Sequence, residues 1–405
     1  MTRFRILLLP LLLITQIFAD EKISLATYNL LNYDNAGRDT HFRVVMDAMQ
    51  PDLLVAQEVG NTASANNFLN NVLNFNRSDY QLATFLQSPF TSNALYYKQN
   101  KFTFVSNVRI PTDVRDINQF TIVYNTTDDT LVIYSLHLKA GSSNSDQQQR
   151  SLEIDLLRNV TDALNPQTNF IVAGDFNVRS SSEAAFQTLL EFNQGARGAV
   201  VDPINSLGNW NNNSSFSSIH SQSPRTTSFG GGSPGGLDDR FDMILISLNI
   251  QASGGVDYIP GSYRTFGNDG NHFNQAVNDG VNQDVPANVA NALHEASDHL
   301  PVLLKLNIET PTSIAGTDAQ IPQTLVLHQN YPNPFNPMTT IKYELNRSTE
   351  IELIVYNILG SEVVRIAEGL KPVGAHQIEF NAATLPSGIY YYQILNQIRK
   401  MVLMK

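Results

Sequence analysis

Apolar and polar positions between residues 20 and 309 switch repeatedly between a strand pattern and a helix pattern. Short apolar runs predict buried strands at Ile23 to Leu30, Leu53 to Val55, Leu131 to Leu138, Phe170 to Ala173, Met243 to Leu248 and Leu300 to Ile308. Helical spacing predicts two amphipathic helices, one carrying Phe42, Val45, Met46 and Met49 and the other carrying Leu152, Leu156 and Val160. Strands mixed with helices indicate a layered α/β or α+β fold.

The pattern changes to strict alternation near the C-terminus. Apolar residues occupy every second position of the segments 341–345, 351–355 and 390–394. Turn residues separate these segments at Asn357 to Gly360 and at Pro386 to Gly388. Short alternating strands bounded by turns predict a small all-β, immunoglobulin-like sandwich over residues 323–405. The stretch 310–322, rich in Thr, Pro, Gly and Ala, is predicted to be a linker.

Residues 1–19 have the pattern of a removable secretory signal peptide. Arg3 and Arg5 give a positive start, Ile6 to Phe18 form an apolar stretch, and Ala19 offers a cleavage point. The alternative is a membrane anchor. However, the apolar stretch has 13 residues and contains Pro10, and a spanning helix needs about 20. We therefore expect no stable membrane span in the mature protein.

Composition narrows the chemistry. The chain has no Cys, which excludes disulfides, thiolate metal sites and a Cys nucleophile. Any metal must be held by oxygen or imidazole. The formal net charge is −11 for the whole chain and −14 for residues 20–321. Such a domain has no basic surface for tight nucleic-acid binding, so a polyanionic substrate would be met by bound cations and a few local arginines.

Six short segments place polar, metal-competent residues at the edges of predicted strands. They are Thr27 to Leu30, Gln57 to Glu58, Ser135 to Leu138, Gly174 to Asn177, Arg240 to Asp242 and Ser297 to His299. The first four follow a strand and the last two precede one. If the last two strands run opposite to the others, all six ends meet at one rim of the sheets and form one pocket.

These residue types fit the hydrolysis of a phosphodiester bond. A hard cation neutralises the phosphoryl oxygens and steadies the leaving oxygen. Glu58, with Asn29 and Asp298, offers the oxygen ligands that Mg²⁺ prefers, with Mn²⁺ or Ca²⁺ as alternatives. Asp175 with Asn177 would position the attacking water.

Two histidines complete the predicted site. His299 paired with Asp242 can act as acid, base or charge stabiliser, because the carboxylate fixes the tautomer of the ring. His137 would add a second imidazole for the phosphate. Each residue taken alone has an ordinary structural explanation, such as a surface carboxylate, a strand-end turn or a hydrogen-bonded histidine. Their joint order and spacing carry the prediction.

The ordered set resembles the endonuclease/exonuclease/phosphatase superfamily, which includes pancreatic-type deoxyribonucleases, abasic-site endonucleases, sphingomyelinases and inositol-polyphosphate phosphatases. Its hallmarks are an Asn ending the first strand, a Gln-Glu pair, a Gly-Asp-x-Asn motif, an Arg-x-Asp before a late strand and a closing Ser-Asp-His. All of them occur here in that order, over about 290 residues. The resemblance implies a four-layer sandwich, in which two packed mixed β-sheets are flanked by helices.

The resemblance also implies roles for individual residues. Glu58 would be the main metal ligand, Asn29 would bind the metal or a phosphate oxygen, and Asp298 would be a further carboxylate on the metal side. Further roles follow by position: Asp175 would orient the nucleophilic water, Asn177 would hold the phosphate, and Asp242 and His299 would form the Asp–His pair.

His137 lies in a Leu-His-Leu context that is similar to the deoxyribonuclease and sphingomyelinase branches. In the deoxyribonuclease branch this His pairs with a Glu shortly after a Tyr on an earlier strand. Here Tyr96 to Gln99 occupy the corresponding region and the Glu is absent. The role of His137 therefore stays open.

Two arginines and two long loops lie beside these motifs. Arg115 falls where family members often place a phosphate-contacting arginine, with a solvated loop charge as the alternative. Arg240 is predicted to contact substrate, with a local ion pair beside Asp242 as the alternative.

The segments 205–239 and 254–297 are predicted to be functional or mobile loops. The glycine run 230–236 lacks the Lys-Ser/Thr of a nucleotide-binding loop and is predicted to be a flexible lid or connector.

Residues 323–405 resemble the C-terminal sorting domain of the type IX secretion pathway. The matching features are Asn330 to Pro337, which contains Pro-Asn-Pro-Phe-Asn-Pro, then Leu385 to Tyr391, and the basic and apolar end from Lys400 to Lys405. The resemblance implies the type IX machinery as a partner and export through the outer membrane to a secreted or cell-surface location. The alternative is a sugar- or protein-binding sandwich, but the segment shows no aromatic binding platform.

The sequence thus predicts a secreted, Mg²⁺-dependent phosphodiesterase, in first place an endonuclease that hydrolyses extracellular DNA or RNA. One alternative keeps the chemistry and changes the substrate to a sphingomyelin or an inositol phosphate. The acidic charge favours this alternative, and the lack of an evident aromatic hairpin for membrane docking counts against it. The other alternative is a catalytically inactive surface binding protein.

Overall fold

Two β-sheets packed face to face form the centre of the computed structural model. The described residues are 21–34, 36–88, 90–165, 168–191, 198–251, 255–308, 325–345, 348–357, 361–395 and 397–405. The predicted signal peptide and the predicted linker 310–322 lie outside them.

The two central sheets take their strands from most of the chain up to residue 308. In chain order the strands are β1 Glu21–Tyr33, β2 Leu53–Val59, β3 Tyr80–Leu82, β4 Ser92–Lys98, β5 Phe102–Ile110, β6 Ile117–Tyr124, β7 Thr130–His137, β8 Asn169–Asp175, β9 Val200–Val201, β10 Asp242–Ser247, β11 Val256–Tyr258, β12 Arg264–Thr265 and β13 Val302–Ile308. The first sheet has the order β11-β13-β1-β2-β4-β3, with β12 also paired to β13. The second sheet has the order β5-β6-β7-β8-β10-β9.

The described chain has six α-helices, of which all but the fifth cover the outer faces of the two sheets; Ile250 of the fifth lies in the core between the sheets. The helices are α1 Asp39–Met49, α2 Thr62–Phe68, α3 Asn144–Thr161, α4 Ala184–Leu190, α5 Leu248–Gln251 and α6 Ala287–Ala296, with short 3₁₀ turns at Ala36–Arg38 and Ser214–Ile219 and a π turn at Leu69–Leu73. One apolar core joins α1, α2 and α6 to the first sheet, and another joins α3 and α4 to the second. A third core lies between the sheets. The predicted four-layer sandwich is therefore confirmed.

Alternation along β1 shows how the sequence builds these layers. Successive side chains of a strand point to opposite faces of its sheet. Leu25 accordingly enters the core between the sheets, whereas Ala26 and Tyr28 enter the core under the helices. Full burial of each large apolar side chain contributes about 1.5–3 kcal/mol. All six predicted strands are present, and the first two extend further than predicted, to Tyr33 and Val59.

Helix α3 is present as predicted, but its buried face is different. Leu152 and Leu156 are exposed, whereas Ile154 and Leu157 pack against the second sheet. Polar residues share the buried face, because Arg150 pairs with Glu183 and donates to the carbonyls of Lys139 and Gly141, all within 3.1 Å. Hydrophobic spacing could not reveal a face whose burial depends on an ion pair.

The C-terminal segment forms an all-β sandwich, as predicted. Its strands are β14 Leu325–Leu327, β15 Met338–Leu345, β16 Thr349–Asn357, β17 Glu362–Lys371, β18 Gly374–Asn381, β19 Gly388–Ile394 and β20 Gln397–Leu403. They make two antiparallel sheets, β14-β15-β18 and β17-β16-β19-β20. Alternating residues such as Ile341, Leu353 and Tyr392 fill one core between them. Across the described part of the whole chain, no helix is long and apolar enough to cross a membrane.

Arg240 is buried in an ion pair, and its predicted contact with substrate stays a prediction. Its guanidinium has no exposed surface and binds both carboxylate oxygens of Asp202, at 2.8 and 2.9 Å. It lies over the rings of Trp210 and Tyr263. Arg240 does form an ion pair, as the alternative predicted, but its partner is Asp202 rather than Asp242. Asp202 follows β9, the strand beside β10, so the partner could not be inferred from proximity in sequence.

Replacing Arg240 should destabilise the fold. Arg240→Met leaves Asp202 buried without its partner, and breaking a buried pair in this way costs about 3–5 kcal/mol. The chain has one Trp, and Trp210 is buried against Arg240. Urea unfolding followed by Trp210 fluorescence therefore reports on this region.

A suitable control is Arg77→Met, because Arg77 pairs with Asp47 on the surface, where ion pairs contribute about 1 kcal/mol or less. Unchanged stability of Arg240→Met together with a raised KM would show that Arg240 binds substrate after all.

Candidate active site

The predicted strand ends meet at one rim of the two sheets. Strand β1 is parallel to β2, and β7 is parallel to β8. Strand β13 runs antiparallel to β1, and β10 runs antiparallel to β8. The ends of β1, β2, β7 and β8 and the starts of β10 and β13 therefore lie on the same side. In the second sheet, Asp175 pairs in register with His137 on one side and with Asp242 on the other.

Asn29 joins the two sheets at this rim. Its amide nitrogen Nδ2 donates to Glu58 Oε1 at 3.0 Å and to Asp175 Oδ2 at 3.1 Å. Its carbonyl oxygen accepts from the backbone N–H of Leu31 at 3.0 Å, which fixes the orientation of the amide. Two carboxylates from different sheets are thereby held within reach of one donor.

His299 and Asp242 form the predicted pair. Nδ1 of His299 lies 2.7 Å from Asp242 Oδ2, and Asp242 is fully buried. Nε2 of His299 lies 3.7 Å from Asp175 Oδ2. Burial disfavours the charged ring, but the carboxylates of Asp242 and Asp298 outweigh it and hold the pKa of His299 well above its usual value. The pair therefore presents Nε2 of the ring towards Asp175.

His137 is buried beside the same carboxylates. Its Nε2 lies 3.4 Å from Asp175 Oδ2 and its Nδ1 lies 3.8 Å from Glu58 Oε1. Burial, with further contributions from the charges of Arg115 and His299, holds the pKa of His137 well below its usual value. Within the described chain Nδ1 has no hydrogen-bond partner. A neutral imidazole in this position can donate one proton to a bound phosphate.

Strand β4 supplies no carboxylate to His137 within the described residues. The hydroxyl of Tyr96 donates to the carbonyl of Ala65 in the core under the helices, 3.0 Å away. Asn93 of the same strand donates to the carbonyl of Ser135 at 3.1 Å. The departure from the deoxyribonuclease branch seen in the sequence is therefore also a departure in structure.

Asp175 and Asn177 form a tight turn after β8. The backbone N–H of Asn177 donates to Asp175 Oδ1 at 3.0 Å, and its amide donates to the carbonyl of Leu138 at 3.2 Å. Burial, reinforced by the charges of Asp242 and Glu58, raises the pKa of Asp175 to about 7. Asn177 and Glu58 both have positive φ, at 52° and 58°. Non-glycine residues rarely adopt this conformation, and where they do they cluster at functional sites.

Asp298 lies on the His299 side of the site. Its Oδ2 accepts from the backbone N–H of Ser233 at 2.7 Å and from Gln222 Nε2 at 3.4 Å. Its Oδ1 is buried without a hydrogen-bond partner in the described chain and lies 3.9 Å from His299 Nε2. Its predicted role as a metal ligand beside Glu58 stays a prediction.

Arg115 supports the site from behind. Its Nε and Nη2 donate to the carbonyls of His137 and Leu138 at 3.0 and 2.7 Å. It therefore fixes the backbone that carries His137, and its charge acts on both His137 and Asp175. These two donors therefore already have partners in the protein. The predicted contact of Arg115 with phosphate stays a prediction.

Several residues of the site were missed in the sequence. Gln222 Nε2 lies 2.6 Å from Nε2 of His299, and Ser221 donates to Asp242 at 2.7 Å. Both lie in the loop between β9 and β10, which composition marked as functional or mobile without singling out any residue. The glycines of the run 230–236 were predicted to form a lid or connector, and Gly231 and Gly232 form part of a cavity wall.

The cavity has a volume of about 520 Å³ and opens at the rim. Its walls include Glu58, His137, Asp175, Asn177 and His299. Further lining residues come from the long loop, among them Asn211, Gln222, Ser233, Asp238 and Asp239. The cavity carries more acidic than basic side chains, which suits a site completed by a cation.

The donors at the rim fit a hard divalent cation. The carboxylate of Glu58 is partly exposed to the cavity, and oxygen donors select Mg²⁺, Mn²⁺ or Ca²⁺. Among the described residues, no group of three or more His, Cys, Asp or Glu side chains is placed to hold a metal by itself. An ion held by Glu58 and Asn29 would therefore keep several water ligands, as Mg²⁺ commonly does.

Three of the solved structures to which the chain is similar each match 71–72% of it. TDP2 from D. rerio, complexed with a single-strand DNA product, is 14% identical, with a TM-score of 0.49 over 71% of this chain and 100% of that one. The human Nocturnin catalytic domain, with bound sulfate, is 18% identical, with a TM-score of 0.46 over 72% and 97%. A family protein from Bacteroides thetaiotaomicron is 14% identical, with a TM-score of 0.45 over 72% and 100%. No curated protein matches the chain.

Two family models match the chain. The secretion system C-terminal sorting domain matches residues 329–404, and this type IX sorting domain indicates export through the outer membrane to a secreted or cell-surface location. The Endonuclease/Exonuclease/phosphatase family matches residues 26–299, which include all six predicted segments. Members of that family are phosphoric ester hydrolases and generally depend on a divalent metal. The chain therefore belongs to the endonuclease/exonuclease/phosphatase family.

Proposed function

We propose that this protein is a secreted, metal-dependent phosphodiesterase that cuts extracellular DNA or RNA internally. The observation that carries the proposal is the contact of Asn29 with both Glu58 and Asp175, next to the Asp242–His299 pair. Acid, base and cation-holding groups thereby face one cavity. The proposal includes a signal peptide at residues 1–19, a catalytic domain at 20–309 and a sorting domain at 323–405.

Glu58 and Asn29 would hold the cation, which we propose to be Mg²⁺. When bound, the ion supplies positive charge to the phosphoryl oxygens. The ligand atom of Asn29 would be its carbonyl oxygen, which the bond from the backbone N–H of Leu31 already orients. A site that is organised before the substrate arrives stabilises developing charge without a cost for reorientation. Asp298 would be a further ligand in the same proposal.

Asp175 and His299 would handle the attacking water and the proton. Asp175 Oδ2 and His299 Nε2 are 3.7 Å apart, so one water can bond to both. Asp242 holds Nδ1 of the ring, and Nε2, which lies 2.6 Å from Gln222 Nε2, would serve the reaction. Neutral His137 would donate to a phosphate oxygen, and Asn177 would help to hold the phosphate from the turn after β8.

Nucleic acid is the proposed substrate, although residues 20–321 carry a charge of −14. A hydrolase needs only brief encounters with its substrate, and a bound cation offsets part of the repulsion between the cavity and phosphate. The alternatives are a sphingomyelin or an inositol phosphate as substrate, and a surface binding protein without catalysis.

Substitution of His299 should remove most of the activity. General acid–base catalysis contributes about 100- to 10,000-fold, so we expect His299→Ala to lower kcat by about 100-fold or more. Asp242→Asn should also lower kcat, because a neutral amide fixes the tautomer and charge of the His299 ring less strongly than the carboxylate does. Hydrolysis of a nucleic acid at saturating substrate measures both effects, and Trp210 fluorescence confirms that each variant is folded.

The exposed His328 of the sorting domain provides the control, and His328→Ala should match the wild type. Retention of wild-type kcat within a few-fold by His299→Ala would show that the pair is not catalytic.

Removal of divalent cations should abolish turnover. We expect EDTA to stop hydrolysis and Mg²⁺ or Mn²⁺ to restore it. Glu58→Gln should raise the Mg²⁺ concentration for half-maximal activity at least tenfold, since it removes the charge of the proposed main ligand. Asp298→Asn in the same titration tests whether Asp298 is a ligand. Full activity in EDTA would contradict the role of Glu58.

A substrate panel tests the choice of nucleic acid. With Mg²⁺ present, we expect nicking of supercoiled plasmid DNA or internal cleavage of RNA, and little release from sphingomyelin vesicles or inositol phosphates. Release of choline phosphate or inorganic phosphate in preference to nucleotides would favour the lipid or inositol alternative. Hydrolysis of none of these substrates by folded protein would favour the binding protein.

A further inference from the structure

Arg179 is a cavity-lining arginine whose guanidinium has no partner in the described part of the chain. Among the described residues its side chain makes neither a hydrogen bond nor an ion pair within 4.0 Å. Other arginines near the site are bound to protein groups: Arg38 to Leu31 and Ala296, Arg115 to His137 and Leu138, Arg225 to His294, and Arg240 to Asp202. Arg179 is also the only Arg or Lys among the residues that line the described cavity.

The backbone of Arg179 is held rigidly. Its N–H donates to Glu183 Oε1 at 2.7 Å, and its carbonyl accepts from the backbone N–H groups of Trp210 and Asn211 at 2.9 and 3.2 Å. Glu183 is fixed in turn by the buried guanidinium of Arg150, at 2.6 Å. The fold therefore holds this side chain at the cavity wall although no protein group binds its charge.

Arg179 lies beside Asn211 in the cavity wall, and Asn211 in turn contacts Asp239. Arg179 lies two residues beyond Asn177, and its charge acts on Asp238 and Asp239. Arg115, by contrast, is the guanidinium that acts on Asp175. Asp239 makes no ion pair with Arg179 within 4.0 Å, and its Oδ1 accepts from Asn211 Nδ2 at 2.9 Å. Arg179 thus serves the end of the cavity that is lined by Asp238 and Asp239.

A planar guanidinium matches the oxygens of a phosphate group better than any other side chain does. A strand of nucleic acid carries one phosphate per nucleotide, so a phosphate held at the reaction centre has neighbours on either side. We propose that Arg179 binds a phosphate next to the one that is cleaved, so that the site prefers polynucleotides to diesters with a single phosphate. This inference rests on the proposed function above.

Kinetics on two substrates test the inference. One is a short DNA or RNA oligonucleotide, whichever the wild type cleaves, and the other is bis(4-nitrophenyl) phosphate, which has one phosphate. We expect Arg179→Met to lower the ratio of kcat/KM for the oligonucleotide to kcat/KM for the small diester by about tenfold or more, mainly through KM, because a charged hydrogen bond is lost. Arg179→Lys should recover part of the ratio. The salt dependence of log KM for the oligonucleotide should weaken by about one unit of slope.

Arg77→Met removes one positive charge from the surface pair with Asp47 and is the matched control, for which the ratio should stay at the wild-type value. An equal loss on both substrates would overturn the inference, because Arg179 would then act at the cleaved phosphate or in the fold. No loss on either substrate would overturn it as well. In both cases an active wild type leaves the proposed function standing. A wild type that cleaves neither substrate would overturn the proposed function and this inference together.

Discussion

The amide of Asn29 is the interaction on which the site depends, because it ties two carboxylates from different sheets to one point. Glu58 belongs to the first sheet and Asp175 to the second, and the amide nitrogen donates to both. Two carboxylates that face each other in a buried place repel, which raises the pKa of at least one of them. Burial raises the pKa of Asp175, and the charges of Asp242 and Glu58 raise it further. Such an arrangement becomes favourable when a cation joins it, and the site has the oxygen donors that a hard cation needs.

The rest of the fold holds these groups in place. The apolar core between the sheets, with residues such as Val55, Ile133 and Ile244, fixes the distance between the rims. Protein interiors are packed as densely as organic crystals, so the strand ends have little freedom. Arg115 and Arg150 fix the backbone after β7, and Asp242 fixes the ring of His299. Charged groups thus occur in two places, as the proposed catalytic groups at the rim and as buried supports behind it.

The sequence was most informative where the physical rule is local or where several motifs agree. Apolar runs located the strands of the sandwich, and the order of the motifs placed Glu58, Asp175 and His299 at one rim. The sequence failed where burial depends on partners distant in the chain. The partner of Arg240 could not be read from the sequence because Asp202 follows a neighbouring strand, and the packed face of α3 was misread because Arg150 is buried by an ion pair. Gln222 was missed because nothing in a Ser- and Asn-rich loop distinguishes a residue that reaches the active site.

The central claim is that the converging strand ends surround a single cation. Anomalous diffraction from crystals soaked in Mn²⁺ tests this claim directly, because the signal locates the ion independently of any assay. The account predicts a peak bonded to the carboxylate of Glu58 and adjacent to Asn29, at about 2.0–2.5 Å from its oxygen ligands. A strong peak elsewhere, or no peak at Mn²⁺ concentrations that support hydrolysis, would contradict it.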